Sequence, residues 1–247
     1  YQYCSPNDHC NCGQSTNDVY PTSIRLALIR MNAHLVGALT GLISAFRYKA
    51  DEYADAIKMG RTQLQDAVPM TIGQEFNAYA NNLEEEIVNL ERNVKLLHEI
   101  NMGGTAIGTG LNAVPGFAKL CADTTVSFAA EAGQLELNVM EPIITESLFE
   151  SLTWMKNAIE TLTSECILGI TVNKERCYEM VKNSIGIVTA LNPIIGYKKS
   201  SKVAKEAHAT GRSVYDIVIE QGIMSKEELD KALDPKEMLY SHKFTLK

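Results

Sequence analysis

Residues 76–97 read FNAYANNLEEEIVNLERNVKLL. Phe76, Ala80, Leu83, Ile87, Leu90, Val94 and Leu97 follow one another at alternating steps of four and three. Such spacing puts them on one face of a helix and predicts a sustained heptad seam. Glu84, Glu85, Glu91, Arg92 and Lys95 fall between the seam positions, as on a solvated or rim-like face. Gly103-Gly104 ends the pattern.

The same period recurs on both sides. Ile24, Leu28, Met31, Leu35, Leu39, Leu42 and Phe46 mark an earlier long helix. Tyr20-Pro21-Thr22 reads as its entrance, with Thr22 as the N-cap. Leu137, Met140, Ile144, Leu148, Leu152, Met155, Ile159 and Leu162 mark a third helix over residues 135–166, with Pro142 in its first turn or at a kink. A lone helix of this kind is marginal in water, so the three stripes predict an all-α, long-helix bundle. After Gly169 the segments shorten and turn signals multiply: Asn192-Pro193, Gly196, Gly211, Gly222 and Asp234-Pro235. Arg212-Ser213-Val214 reads as a helix start, and Ser225-Lys226-Glu227-Glu228 as a capping box. The expected organisation is a bundle domain over 1–170 and a small helical domain over 171–247.

Composition agrees with a folded helical chain. Of 247 residues, 45% are apolar, 21% charged and only 7% aromatic. A net charge of −7 argues against nucleic acid, which calls for a basic footprint. No segment reads as an apolar run able to span a bilayer, so no membrane partner is expected. Tyr1-Gln2-Tyr3-Cys4 has neither a basic start nor an initiating Met, as in a fragment or processed chain. The six cysteines are read as reduced thiols in a cytoplasmic protein. Cys4, His9, Cys10 and Cys12 suggest zinc, but no second ligand pair follows them. The bland reading, a flexible loop, is preferred, and no metal or cofactor is expected. His34, His98 and His208 are read as helix residues rather than catalysts.

Three segments are polar where a buried helix should be apolar. They are Gly13–Thr22 (GQSTNDVYPT), Gly60–Phe76 (GRTQLQDAVPMTIGQEF) and Gly103–Asn112 (GGTAIGTGLN). Their hydroxyl, amide and glycine N–H groups are neutral donors, suited to an anionic ligand held without a metal. Ser15-Thr16-Asn17 serves equally well as capping and loop chemistry, and Thr62-Gln63 as a turn between Gly60 and Pro69. Gly103–Asn112 matches neither the P-loop nor the dinucleotide pattern.

In their order, these segments resemble the aspartase/fumarase superfamily, most of all its aspartase branch. Leu191–Gly196 (LNPIIG) and Gly211–Gly222 (GRSVYDIVIEQG) resemble its C-terminal domain. The resemblance implies reversible deamination of L-aspartate to fumarate and ammonia, in a homotetramer whose long helices form a shared core. It implies substrate binding by Ser15, Thr16 and Asn17 (β-carboxylate and amino group) and by Thr62 (α-carboxylate). Gln63 is expected to hydrogen-bond the amine; an amide cannot act as a base. The family's mobile loop, with its Gly-Ser-Ser start and Lys-Val-Asn-Pro end, is absent, and so is the family's N-terminal domain. The Ser base belongs to that loop, so no catalytic residue is assigned. Phe117–Ala122 resembles the start of one family helix and Asp123–Phe128 a later one, which places an internal deletion near 122–123. The alternatives are a fumarate hydratase, disfavoured by Gln63, and a non-catalytic helical assembly remnant.

Overall fold

The structure is a computed structural model that describes residues 3–117 and 141–239. The join near 122–123 lies outside the described residues. The chain forms two compact units: residues 1–44 with 81–166, and residues 45–80 with 167–247.

The expected long helices are present among the described residues; the start of the third, residues 135–140 with Leu137 and Met140, lies outside them. Helix α1 spans Thr16–Glu52 and α2 spans Ile72–Leu97. Helix α3 spans Glu141–Thr161 and passes into a π-helical turn over Leu162–Ile167. Shorter helices follow: α4 (Lys174–Lys182), α5 (Val188–Ile195), α6 (Tyr197–Thr210), α7 (Val214–Glu220), α8 (Lys226–Ala232) and α9 (Pro235–Met238).

Helix α1 begins six residues before the expected cap at Thr22. Thr22 is inside the helix, and its hydroxyl donates back to the Asp18 carbonyl at 2.6 Å. Pro21 is also inside, without the N–H that would bond the Asn17 carbonyl. That carbonyl instead accepts from Asn101 Nδ2 at 2.7 Å, so a side chain from another segment completes the ladder. Asn192-Pro193 is a similar correction: the expected turn is helical, with Pro193 inside α5.

The expectation that no segment is apolar enough over the length needed to span a bilayer also needs correction. Helix α1 contains an 18-residue window of mean hydropathy 1.5, long and apolar enough to cross a bilayer by length and composition. Only 28% of that window is buried within the chain. Its buried residues include Leu35, Leu39, Leu42 and Ile43, on the face the seam specified. Core helices of bundles pass the same test.

The unit containing residues 45–80 holds a hairpin that the sequence reading did not expect. Strands β1 (Ile57–Thr62) and β2 (Gln65–Thr71) pair antiparallel, Ile57 opposite Thr71 and Thr62 opposite Gln65. The register shifts between Met59 and Arg61. At Gly60 a Cβ would lie 2.9 Å from the Val68 carbonyl oxygen, so a side chain there would collide with the opposite strand. The core of this unit joins Ile57 and Met59 to Val181, Leu191, Ile217 and Leu229. Phe46, Phe76 and Tyr79 form an aromatic cluster beside it, with centroids 5.6–6.3 Å apart. Lys49 is buried, and its ammonium donates to Glu52 at 2.8 Å and to the Ile170 carbonyl at 2.9 Å. Both contacts satisfy a cation that burial alone would penalise. Ser213 and Ser225 cap α7 and α8 as their spacing predicts, and Ser225 with Glu228 forms the full capping box.

Candidate functional site

Ser15, Thr16 and Asn17 form the start of α1 rather than a loop ahead of it. The Ser15 carbonyl accepts from the N–H groups of Asp18 (3.2 Å) and Val19 (3.0 Å). Its hydroxyl accepts from the Asn17 N–H at 3.3 Å. The Ser15 N–H donates to Asp18 Oδ1 at 2.7 Å, closing a reciprocal cap.

Asp18 organises this corner. It is 1% exposed, and its Oδ2 accepts from the Gly103 N–H at 3.2 Å and the Thr105 N–H at 3.0 Å. Three backbone donors therefore compensate one buried carboxylate, with the helix N-terminus adding positive potential. The result fastens the Gly103–Asn112 segment to the first turn of α1. Asn17 Nδ2 adds a 2.6 Å bond to the Ala106 carbonyl. Thr105 has a positive φ of 61°, and its hydroxyl is buried without a partner among the described residues. Arg25 donates to the Glu99 carbonyl just upstream, and burial pulls its guanidinium below the usual value against the pull of Glu99.

Thr62 and Gln63 belong to the other unit. Thr62 ends β1, and Gln63 with Leu64 makes a two-residue hairpin loop. Both loop residues have positive φ, 49° and 63°, the sign pattern of a type I′ turn. Thr62 and Gln63 are exposed at the hairpin tip. Asp66 fixes the hairpin from two sides: it pairs with Arg61 at 3.1 Å and accepts from the Ser184 hydroxyl at 2.7 Å. Gly186 lies against the Ala67 carbonyl, where a Cβ would meet the oxygen at 2.8 Å. Beside the tip lies an open cleft of about 920 Å³, lined by Thr62, Leu64, Asp66, Ser184, Thr189 and His208.

The first and third polar segments thus meet within one unit, while Thr62 and Gln63 stand in the other. Asp18, Asn101 and Thr105 are residues to which the sequence reading gave no role. The Ser-x-x-Asp spacing of residues 15–18 is a capping signature, and it was the signal that could have found Asp18. Among the described residues, no group of three or more His, Cys, Asp or Glu is placed to hold a metal.

The lyase family model matches residues 2–163, and the fumarase C C-terminal model matches residues 187–240. The first match alone covers more than half of the chain. The chain belongs to the aspartase/fumarase superfamily. Among superfamily members it is 37% identical to an aspartate ammonia-lyase of Helicobacter pylori, over 99% of this chain and 73% of that protein. To an aspartate ammonia-lyase of Escherichia coli it is 38% identical, over 97% of this chain and 70% of that one. The Helicobacter alignment runs over 340 positions, although this chain has 247 residues. The relative therefore carries residues within the aligned span that have no counterpart here. Among solved structures, a fumarate lyase from Brucella melitensis superposes with a TM-score of 0.87 at 31% identity, over 98% of this chain and 73% of that one. A class II fumarase from Schistosoma mansoni shares the fold, with a TM-score of 0.85 at 24% identity, over 97% of this chain and 73% of that one.

Proposed function

We propose that the chain is an aspartate ammonia-lyase scaffold that retains the substrate-binding side of its site and lacks the base. The observation that carries this reading is the start of α1, where Ser15, Thr16 and Asn17 are fixed through Asp18 against residues 103–106. A fixed set of neutral donors is what a dicarboxylate needs. Ser15, Thr16 and Asn17 bind the β-carboxylate and amino group, Thr62 binds the α-carboxylate, and Gln63 binds the amine. Similarity to aspartate ammonia-lyases supports this assignment.

The reaction removes a Cβ proton and then breaks the Cα–N bond, leaving fumarate and ammonia. The proton is weakly acidic, so the doubly charged aci-carboxylate formed on its loss must be held by donors already in place. Gln63 cannot take that proton, because an amide does not titrate, and the superfamily's base lies in the missing loop. In this reading the missing block falls near residues 122–123. Groups that act as a unit fail as a unit, so turnover is expected to fall by a factor on the order of 10⁴ or more against a complete relative.

The test is fumarate formation from L-aspartate, run beside calorimetric titration with fumarate. Binding without turnover is the expected result. Full turnover would overturn the missing base. No binding, with Asn17→Ala equal to the unaltered chain, would overturn the half-site.

Self-association to a homotetramer in the cytoplasm belongs to the same proposal. Its support is the apolar surface of α3, where Ile144, Leu148, Trp154 and Met155 are 41–69% exposed in the single chain.

A further inference from the structure

The segment ahead of Ser15 carries a side-chain pair for which the lyase reading has no use. Ser5 caps a short π-helical turn over Pro6–Cys10. Its carbonyl accepts from the N–H groups of His9 (3.1 Å) and Cys10 (3.2 Å), and its own N–H donates to His9 Nδ1 at 2.8 Å. This winding returns the chain on itself and brings the sulfurs of Cys4 and Cys10 to 3.4 Å. Both residues are exposed, and their hydrogen bond raises the Cys4 thiol above its ordinary value. Bonded sulfurs lie about 2.05 Å apart, so closure asks the two side chains for about 1.4 Å of approach. Two exposed side chains on one short turn can supply that by rotation. The turn is also joined to the start of α1: the Cys10 carbonyl accepts from Gln14 Nε2 at 2.9 Å, and Gln14 precedes Ser15.

We infer that Cys4 and Cys10 are a thiol modification site, forming a reversible disulfide across the turn that leads into Ser15–Asn17. The co-reactant is a small-molecule disulfide of the glutathione class. One protein thiolate attacks a sulfur of that reagent, breaks its S–S bond and releases one small thiol, leaving a mixed disulfide. The second protein thiol attacks the first protein sulfur and releases the second small thiol. The two protein S–H protons end on the two released thiols. The protein is oxidised by two electrons and the reagent reduced by two. An exposed disulfide is open to reduction by the reverse route, as a reducing compartment requires. Cys12 is exposed two residues further on and is the competing thiol.

The experiment treats the full chain with oxidised glutathione, blocks free thiols with an alkylating agent and cleaves the chain before Asp8, which lies between the pair. In the unaltered chain the two fragments are expected to stay linked until a reductant is added, with Cys4 and Cys10 both unalkylated. The Cys12→Ser variant is expected to keep the link and Cys10→Ser to lose it. Alkylation of both Cys4 and Cys10, a persistent glutathione adduct, or a link that disappears in Cys12→Ser would each overturn the inference.

Discussion

Asp18 shows how one buried residue fixes a polar segment in place. Its carboxylate holds Ser15, Gly103 and Thr105 through their N–H groups, in a place that water does not reach. Asp18→Ala would leave three donors without their acceptor. Each unsatisfied buried donor costs about 1–3 kcal/mol, and local relaxation and water recover part of the sum, so a loss of about 2–4 kcal/mol is expected. Urea unfolding measures it, and fumarate titration of the folded variant should show binding weakened more than tenfold. A stable variant with undiminished binding would separate Asp18 from the site. Ser15-Thr16-Asn17 stands out in the sequence as a compact cluster of donors. The Ser-x-x-Asp spacing marks Asp18 only as a cap; its burial and its bonds to Gly103 and Thr105 do not show in the sequence. The Asn101 bond to the Asn17 carbonyl was hidden for a related reason: it answers a vacancy made by Pro21, and the two residues are far apart in sequence.

At the level of elements, the long helices were legible because a seam repeated over many turns leaves little choice of period. The hairpin was missed because its turn lacks the usual signal. An Asn-Gly or Asp-Gly pair marks a two-residue loop, and here the loop is Gln63-Leu64. A leucine at positive φ carries a steric penalty of about 1–2 kcal/mol, and Leu64 is 98% exposed, so packing does not offset it. Leu64→Gly should raise stability by about 1 kcal/mol, the glycine's unfolded-state entropy cancelling part of the relief. Thermal unfolding checks the sign; a lower midpoint would mean that the turn is not strained. Two of the short helices, α7 and α8, were legible from their caps, and the capping box of α8 adds a pH signature. Glu228 accepts from the Ser225 N–H, and that bond holds its carboxyl below the ordinary glutamate value. A depressed folded-state value means stabilisation that is present above the unfolded value and lost as pH falls through the folded one. Protection of the α8 amides from hydrogen exchange should therefore drop in acid, and Glu228→Gln should flatten that drop. An equal acid response in both proteins would remove the capping box as its cause.

For the whole molecule, the apolar periodicity exceeds what one chain buries. Helix α3 has seam positions at Ile144, Leu148 and Met155, yet all three are 41–50% exposed and no residue of α3 is buried. Helix α1 repeats the pattern, with 28% of its most apolar window covered. Exposed stripes of this length are unstable in water, because each large apolar side chain left out forgoes about 1.5–3 kcal/mol of burial. Sequence periodicity reports that a face is apolar and does not say which molecule covers it. Copies of the same chain are the cover that the homotetramer reading supplies. The purified chain should then sediment as an oligomer at micromolar concentration. Replacing Leu148 and Met155 together with Lys should shift it toward smaller species, while the fold of the unit containing residues 45–80, to which neither residue belongs, stays unchanged by circular dichroism. A chain that is monomeric before any substitution would defeat the oligomer reading and leave the fold assignment standing, because the single chain by itself superposes on its solved relative.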